Sequence, residues 1–253
     1  MTDFACDYPA ATAVPSPNHG ERAGGRTPDM IILHYTGMAT GAAALDWLCR
    51  EESQVSSHYF VHEDGRVDQL VSESRRAWHA GKSAWKGEVD INSRSIGIEI
   101  ANMGHPDLPD FPDMQIDAVG ELCRNCVSRW SIAPEQVLGH SDVAPVRKVD
   151  PGEKFPWQRL YAKGVGHWVP AAPIGGGRFF QKGDQGQPVE AVQTMLSLYG
   201  YEIEVTGLFC DRTQGVVEAF QRHFRQSRVD GIADISTLDT LHRLLSTLPA
   251  FSL

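Results

Sequence analysis

Two hydrophobic periods alternate along this chain, and the changes between them mark its elements. Met30-Ile31-Ile32-Leu33-His34-Tyr35 is a short, nearly continuous apolar run after Pro28, the pattern of a buried strand. A helix is expected over Ala42 to Arg50. Ser57 to His62 then leads through Glu63-Asp64-Gly65 into Arg66 and Val67, which reads as a strand, an Asp-Gly turn and a returning strand. Ser95 to Ile100 is another strand, and alternation places Ile96, Ile98 and Ile100 on one face with Gly97 and Glu99 on the other. Glu99 is therefore expected to look away from the main apolar layer. Between Ile116 and Trp130 the apolar positions recur at the three-four spacing of an amphipathic helix. Cys123 and Cys126 fall inside that stripe, which favours core thiols over a redox or metal pair. Pro134 to Gly139 supplies a turn and a short strand ending at His140.

Periodicity is absent from residues 1–29, rich in Pro, Gly and Ala, which read as an irregular N-terminal arm. It is lost again over 169–182, where Pro170, Pro173 and Gly175-Gly176-Gly177 have linker composition. The organisation expected is an arm at 1–29, a large domain at 30–168, a linker at 169–182 and a small helical domain at 183–253. The last part carries an internal repeat. Gly207-Leu208-Phe209 is followed by Thr213, and Gly231-Ile232-Ala233 by Thr237 at the same offset, each Thr opening an apolar-periodic helix. With Val189 to Tyr199 these make a compact three-helix module.

Composition narrows the partners. A formal net charge of −9 over 253 residues argues against nucleic acid or an anionic membrane surface, whose binding draws on clustered Lys and Arg. No run of about 20 apolar residues is present to span a membrane. The first residues show no charged segment followed by an apolar stretch, so no secretory signal is visible and the chain as written reads as cytoplasmic. Five cysteines at irregular spacing make a poor disulfide framework and agree with a reducing compartment. A monomer is expected.

His34, His140 and Asp150 sit at or near strand ends and are candidate metal ligands. Two imidazoles and one carboxylate suit a catalytic zinc, leaving a fourth tetrahedral position open. Taken singly, each has an ordinary structural reading, and Asp150 before Pro151-Gly152 could serve a turn. Spacing alone does not make them converge. Glu99 and Lys148 are candidates for proton transfer and for stabilising an oxyanion. Lys148 also reads as a solvated surface charge, whereas a carboxylate among isoleucines is harder to dismiss.

Several blocks in order now carry a resemblance: Ile31 to Thr36, Ser56 to Tyr59, Ala77-Trp78-His79-Ala80-Gly81, Ser95 to Glu99, and Gly139-His140-Ser141-Asp142 through Lys148-Val149-Asp150-Pro151-Gly152. Residues 28–168 resemble the zinc N-acetylmuramoyl-L-alanine amidases, whose domain is shared with phage lysozyme-type amidases and animal peptidoglycan recognition proteins. The likeness is to the AmpD and AmiD type, since the phage enzymes carry Cys where Asp150 stands. The resemblance implies an α/β fold, a mixed twisted β-sheet flanked by helices, with the site in a groove. It implies His34, His140 and Asp150 as zinc ligands, Glu99 as acid/base, Lys148 as oxyanion stabiliser, and Trp78 and His79 as substrate-binding groove residues. His58 and Tyr59 are expected to pack within their strand.

Residues 183–246 resemble the small helical peptidoglycan-binding domain, although Ala233 stands in the second half where Phe209 stands in the first. The expected activity is zinc-dependent hydrolysis of the amide between the lactyl group of MurNAc, or anhydro-MurNAc, and L-Ala of the stem peptide. The rival readings are a non-catalytic peptidoglycan sensor and a zinc peptidase acting within the stem; no His-Glu-x-x-His helix is present to support the latter. A wall-binding module points to the periplasm, against the missing signal. All five proposed catalytic residues precede the linker, so chemistry is expected to survive removal of the helices.

Overall fold

A computed structural model describes residues 4–248; residues 1–3 of the expected arm and 249–253 of the helical domain lie outside it. The strands are β1 (Thr12–Ala13), β2 (His19–Glu21), β3 (Met30–Tyr35), β4 (Tyr59–Val61), β5 (Val67–Gln69), β6 (Arg75–Ala77), β7 (Ser95–Ile100) and β8 (Val137–Gly139). The helices are α1 (Gly41–Leu48), α2 (Ile91–Arg94), α3 (Asp113–Trp130), α4 (His140–Val143), α5 (Trp157–Ala162), α6 (Gln187–Tyr199), α7 (Asp211–Phe224) and α8 (Ile235–Ser246). The residues group into two compact units. One holds 1–83, 90–140 and 150–167; the other holds 84–89, 141–149 and 168–253. Two short segments that precede the linker thus group with the C-terminal helices.

In the first unit a six-stranded mixed sheet runs in the order β1-β5-β4-β7-β3-β8, with β4 and β5 the antiparallel pair and the other neighbours parallel. β3 and β7 lie inside the sheet: Met30 to Leu33 bury both faces of β3, while Ile96, Ile98 and Ile100, all fully buried, make one face of β7 apolar and leave the other to Gly97 and Glu99. The β4–β5 hairpin closes through a turn in which Gly65 N–H donates to His62 O at 3.0 Å, with Gly65 at φ +83°. α1 buries Ala44 and Leu48 against Phe60, Leu70 and Ala77. α3 presents Ile116, Val119, Leu122, Cys123 and Cys126 to the core. Both of these cysteines are free thiols, and burial pushes Cys123 up to about 12. They are inert packing groups at neutral pH.

The N-terminal arm is not irregular. β1 pairs with β5, and β2 forms a separate antiparallel pair with β6. The buried Arg22 guanidinium donates to the carbonyls of Glu73, Asn92 and Ser95. Strands of two and three residues are too short to show a period, and their partners are distant in sequence, so composition alone misreads the segment.

The second unit is organised by its repeat, with a device that periodicity hides. Gln193 on α6 accepts from Thr206 N–H and Gly207 N–H while its amide donates to Leu208 O and Thr213 Oγ1. Gln221 on α7 does the same with Asp230 N–H, Gly231 N–H, Ile232 O and Thr237 Oγ1. One buried amide thus closes each interhelical loop, and Gly207 and Gly231 take φ +71° and +70° there. Within the stretch read as a linker, Ala172 is anchored on α8: its N–H donates to Thr240 Oγ1, and Ser236 Oγ donates to its carbonyl. Trp85 stacks edge-on against Tyr199 and Tyr201. The buried Asp142 carboxylate accepts from Tyr201 OH at 2.7 Å and lies 2.8 Å from His223 Nδ1. Among the described residues no helix is long and apolar enough to cross a membrane.

Candidate metal centre and catalytic groove

Two adjacent strands and a loop bring the candidate ligands together. His34 is near the C-terminal end of β3, and His140 follows β8 directly, in line with the β3–β8 register of Leu33 to Gly139. Asp150 arrives from the following loop. All three are buried. His34 Nδ1, His140 Nδ1 and Asp150 Oδ2 lie 3.0 Å from one another, an equilateral set of two imidazole nitrogens and one carboxylate oxygen. Among the described residues this is the cluster that could hold a metal ion. Burial acts to raise the Asp150 carboxyl, but the His140 and His34 imidazoles outweigh it and hold the group well below the usual carboxylate range. The ligand oxygen is thus anionic.

Glu99 is the residue paired with His34 across the parallel β3–β7 register, and Phe60 pairs with it from β4. Paired residues of neighbouring strands project to the same face, so the half-buried Glu99 stands beside a ligand, one strand spacing away. Lys148 is half-buried in the second unit, its N–H donating to Ala144 O. Trp78 is half-buried and its N–H donates to Ser56 Oγ.

The His79 ring lies 3.0 Å from His34 Nε2 through Nδ1 and 3.2 Å from Ser95 Oγ through Nε2. It packs over Gly97, where a Cβ would meet the ring at 2.4 Å. Burial and then the imidazoles of His34, His58 and His140 push His79 well below the ordinary histidine range, so the ring is neutral. His140 Nε2 is 3.0 Å from Ala80 O. Sequence reading singled out neither Ser95 nor Asn92, whose Oδ1 accepts from His79 N–H and Ala80 N–H. Gly97 was the available signal, because a glycine inside a strand of isoleucines marks the close approach of another group.

His58 and Tyr59 are both fully buried. Gly97 N–H donates to His58 Nδ1, leaving Nε2 to carry the proton toward Arg75 O. Burial and the nearby Arg22 push His58 down to about 3. Tyr59 OH donates to Glu73 Oε1 at 2.7 Å.

The sequence profile of the N-acetylmuramoyl-L-alanine amidases matches residues 24–153, and that of a peptidoglycan binding domain matches 185–241. The chain is 36% identical over 234 residues to the N-acetylmuramoyl-L-alanine amidase AmiD of Escherichia coli, covering 85% of this chain and 82% of that protein. Its identity to the 1,6-anhydro-N-acetylmuramyl-L-alanine amidase AmpD of Enterobacter cloacae is 30% over 169 residues, 60% of this chain and 89% of that one. Among solved structures it is similar to E. coli AmiD in complex with anhydro-N-acetylmuramic acid-L-Ala-D-gamma-Glu-L-Lys, with TM-score 0.73 and 32% identity over 89% of this chain and 92% of that chain. It is also similar to AmpDh3 of Pseudomonas aeruginosa, with TM-score 0.74 and 28% identity over 98% of this chain and 100% of that chain. With the site geometry, the two profiles and these relatives in agreement, the chain belongs to the N-acetylmuramoyl-L-alanine amidase family and carries a peptidoglycan binding domain after the amidase domain.

Proposed function

We propose that His34, His140 and Asp150 hold a zinc ion and that the chain hydrolyses the lactyl–L-Ala amide of muropeptides, including those ending in anhydro-MurNAc. The observation that carries this is the set of three ligand atoms mutually 3.0 Å apart with Glu99 in register beside His34. Ligand atoms on a tetrahedral zinc, with bonds of about 2.0–2.2 Å, stand about 3.3 Å apart, so this donor set fits the ion in chemistry and in spacing. Zinc bound there supplies Lewis acidity, polarising an amide carbonyl and acidifying water.

Glu99 takes a proton from the attacking water and returns it to the departing L-Ala nitrogen, so one carboxylate serves as base and then as acid. Lys148, two residues before Asp150, offsets negative charge developing on the carbonyl oxygen. The anhydro-muropeptides bound by AmiD and by AmpDh3 support this substrate class.

The test is metal analysis of the purified chain together with mass spectrometry of an anhydro-muropeptide after incubation. Free stem peptide plus intact sugar, lost on removal of zinc and in Asp150→Ala, is the expected result. Shortened stems would make the chain a peptidase, and an unchanged muropeptide would make it a sensor. Either overturns the proposal.

A further inference from the structure

We propose that the His79 ring and the Ala80 carbonyl are the outer shell of the metal centre, and that His79 serves it rather than the substrate. In this role they fix the tautomer of both histidine ligands, the His79 ring for His34 and the Ala80 carbonyl for His140. The inference rests on the zinc reading above and assigns His79 as a positioning residue.

Both hydrogen-bond chains end on groups that can only accept, and this fixes every proton along them. Ile91 O accepts from Ser95 Oγ–H at 2.7 Å, which leaves the Ser95 oxygen to accept from His79 Nε2–H at 3.2 Å. With its proton directed from Nε2 to Ser95, His79 presents Nδ1 as the acceptor for His34 Nε2–H at 3.0 Å. This tautomer puts the lone pair of His34 on Nδ1, the atom 3.0 Å from Asp150 Oδ2. On the other side Ala80 O, a carbonyl, accepts from His140 Nε2–H at 3.0 Å, and His140 Nδ1 is left in the same state. Both Nδ1 atoms lie 3.0 Å from Asp150 Oδ2, so three atoms able to ligate a cation converge.

The segment is built to stay put. Asn92 Oδ1 accepts from two successive N–H groups, those of His79 at 3.2 Å and Ala80 at 2.8 Å. Ser56 N–H donates to Trp78 O at 3.1 Å and Ser56 Oγ accepts from Trp78 N–H at 2.9 Å. Gly97 leaves the space the ring occupies. With both ring nitrogens engaged, His79 has no polar atom left to offer a glycan or peptide. Second partners of this kind orient a ligating imidazole and raise its basicity, and their loss typically weakens metal binding by about 10–100-fold.

The experiment measures zinc affinity of the full chain by chelator competition, with zinc as the only probe, for wild type, His79→Phe, His79→Asn and Ser95→Ala. His79→Phe keeps a ring without an acceptor and should weaken zinc binding by about 10–100-fold. His79→Asn puts a carbonyl oxygen close to the former Nδ1 and should recover most of that loss. A packing role predicts the reverse order, with Phe tolerated and Asn not, and that order overturns the proposal. Wild-type affinity in His79→Phe overturns it as well. If His79→Phe fails to fold, Ser95→Ala decides: weaker zinc binding supports the relay, and unchanged binding sinks it. Failure of the wild type to bind zinc is seen before any variant is compared and rejects the underlying metal reading.

Discussion

His34 and Glu99 are register partners on adjacent parallel strands β3 and β7. This pairing puts a metal ligand and a carboxylate on one face, about 4.8 Å apart along the hydrogen-bonding direction, with no loop needed to bring them together. A site built on two central strands is held by the sheet itself, and its geometry is set by the same apolar faces that make the core. Four expected outcomes follow from the arrangement and its surroundings.

Glu99→Gln removes the proton carrier and leaves the strand pairing intact. Zinc content should be unchanged while turnover falls by about 10²-fold or more. Metal analysis beside steady-state kinetics checks this, and near wild-type turnover would make Glu99 a structural residue.

Gly97→Ala places a Cβ 2.4 Å from the His79 ring, a distance that forces the ring to move. The strand itself tolerates alanine, so the cost arises from overpacking, about 1–3 kcal/mol. Thermal unfolding should show that loss, and zinc affinity should fall with it because the displaced ring is the partner of His34. A variant with wild-type stability and affinity would mean that the ring has another resting place.

Stability should decline with acid through His58. Its folded pKa is depressed to about 3, against about 6.5 in an unfolded chain, so the unfolded state takes up a proton first as pH drops. The contribution is complete above about pH 6.5 and is lost below it, by about 1.4 kcal/mol per pH unit toward the folded value. Denaturant unfolding of the wild type and His58→Gln between pH 7 and 4 should show a flatter dependence in the variant. Parallel curves would move the acid sensitivity elsewhere.

Ending the chain near residue 175 should lower Tm. Asp142 is fully buried and its carboxylate meets Tyr201 OH and His223 Nδ1, so the truncated chain keeps the carboxylate and loses these two contacts. The same reasoning gives Tyr201→Phe a loss of about 1.5–3 kcal/mol, for one hydrogen bond to a charged group. Segment 141–149, which carries Lys148 and joins two of the ligands, stays in the shortened chain but loses the helices of its own unit, so the expected outcome is reduced stability and activity rather than undisturbed chemistry. Equal melting curves for the full and shortened chains would restore the picture of a freely separable module.

Local pattern determined a large part of this protein. The apolar runs at β3 and β7, the turn at Gly65, the stripe of α3 and the threonine-led helices of the second unit all follow from side-chain periodicity, a property of neighbours in sequence. Chemistry of residue type made His34, His140, Asp150 and Glu99 candidates. Tertiary structure alone decided what depends on partners far apart in the chain. It turned the arm into β1 and β2, because a strand of two or three residues exists only through its neighbour. It grouped 84–89 and 141–149 with the helices through Trp85 and Asp142, whose partners lie beyond residue 198. It also set the His79 ring 3.0 Å from His34, since which group a ring nitrogen meets depends on the packing of distant strands and loops, and no spacing along the chain records that.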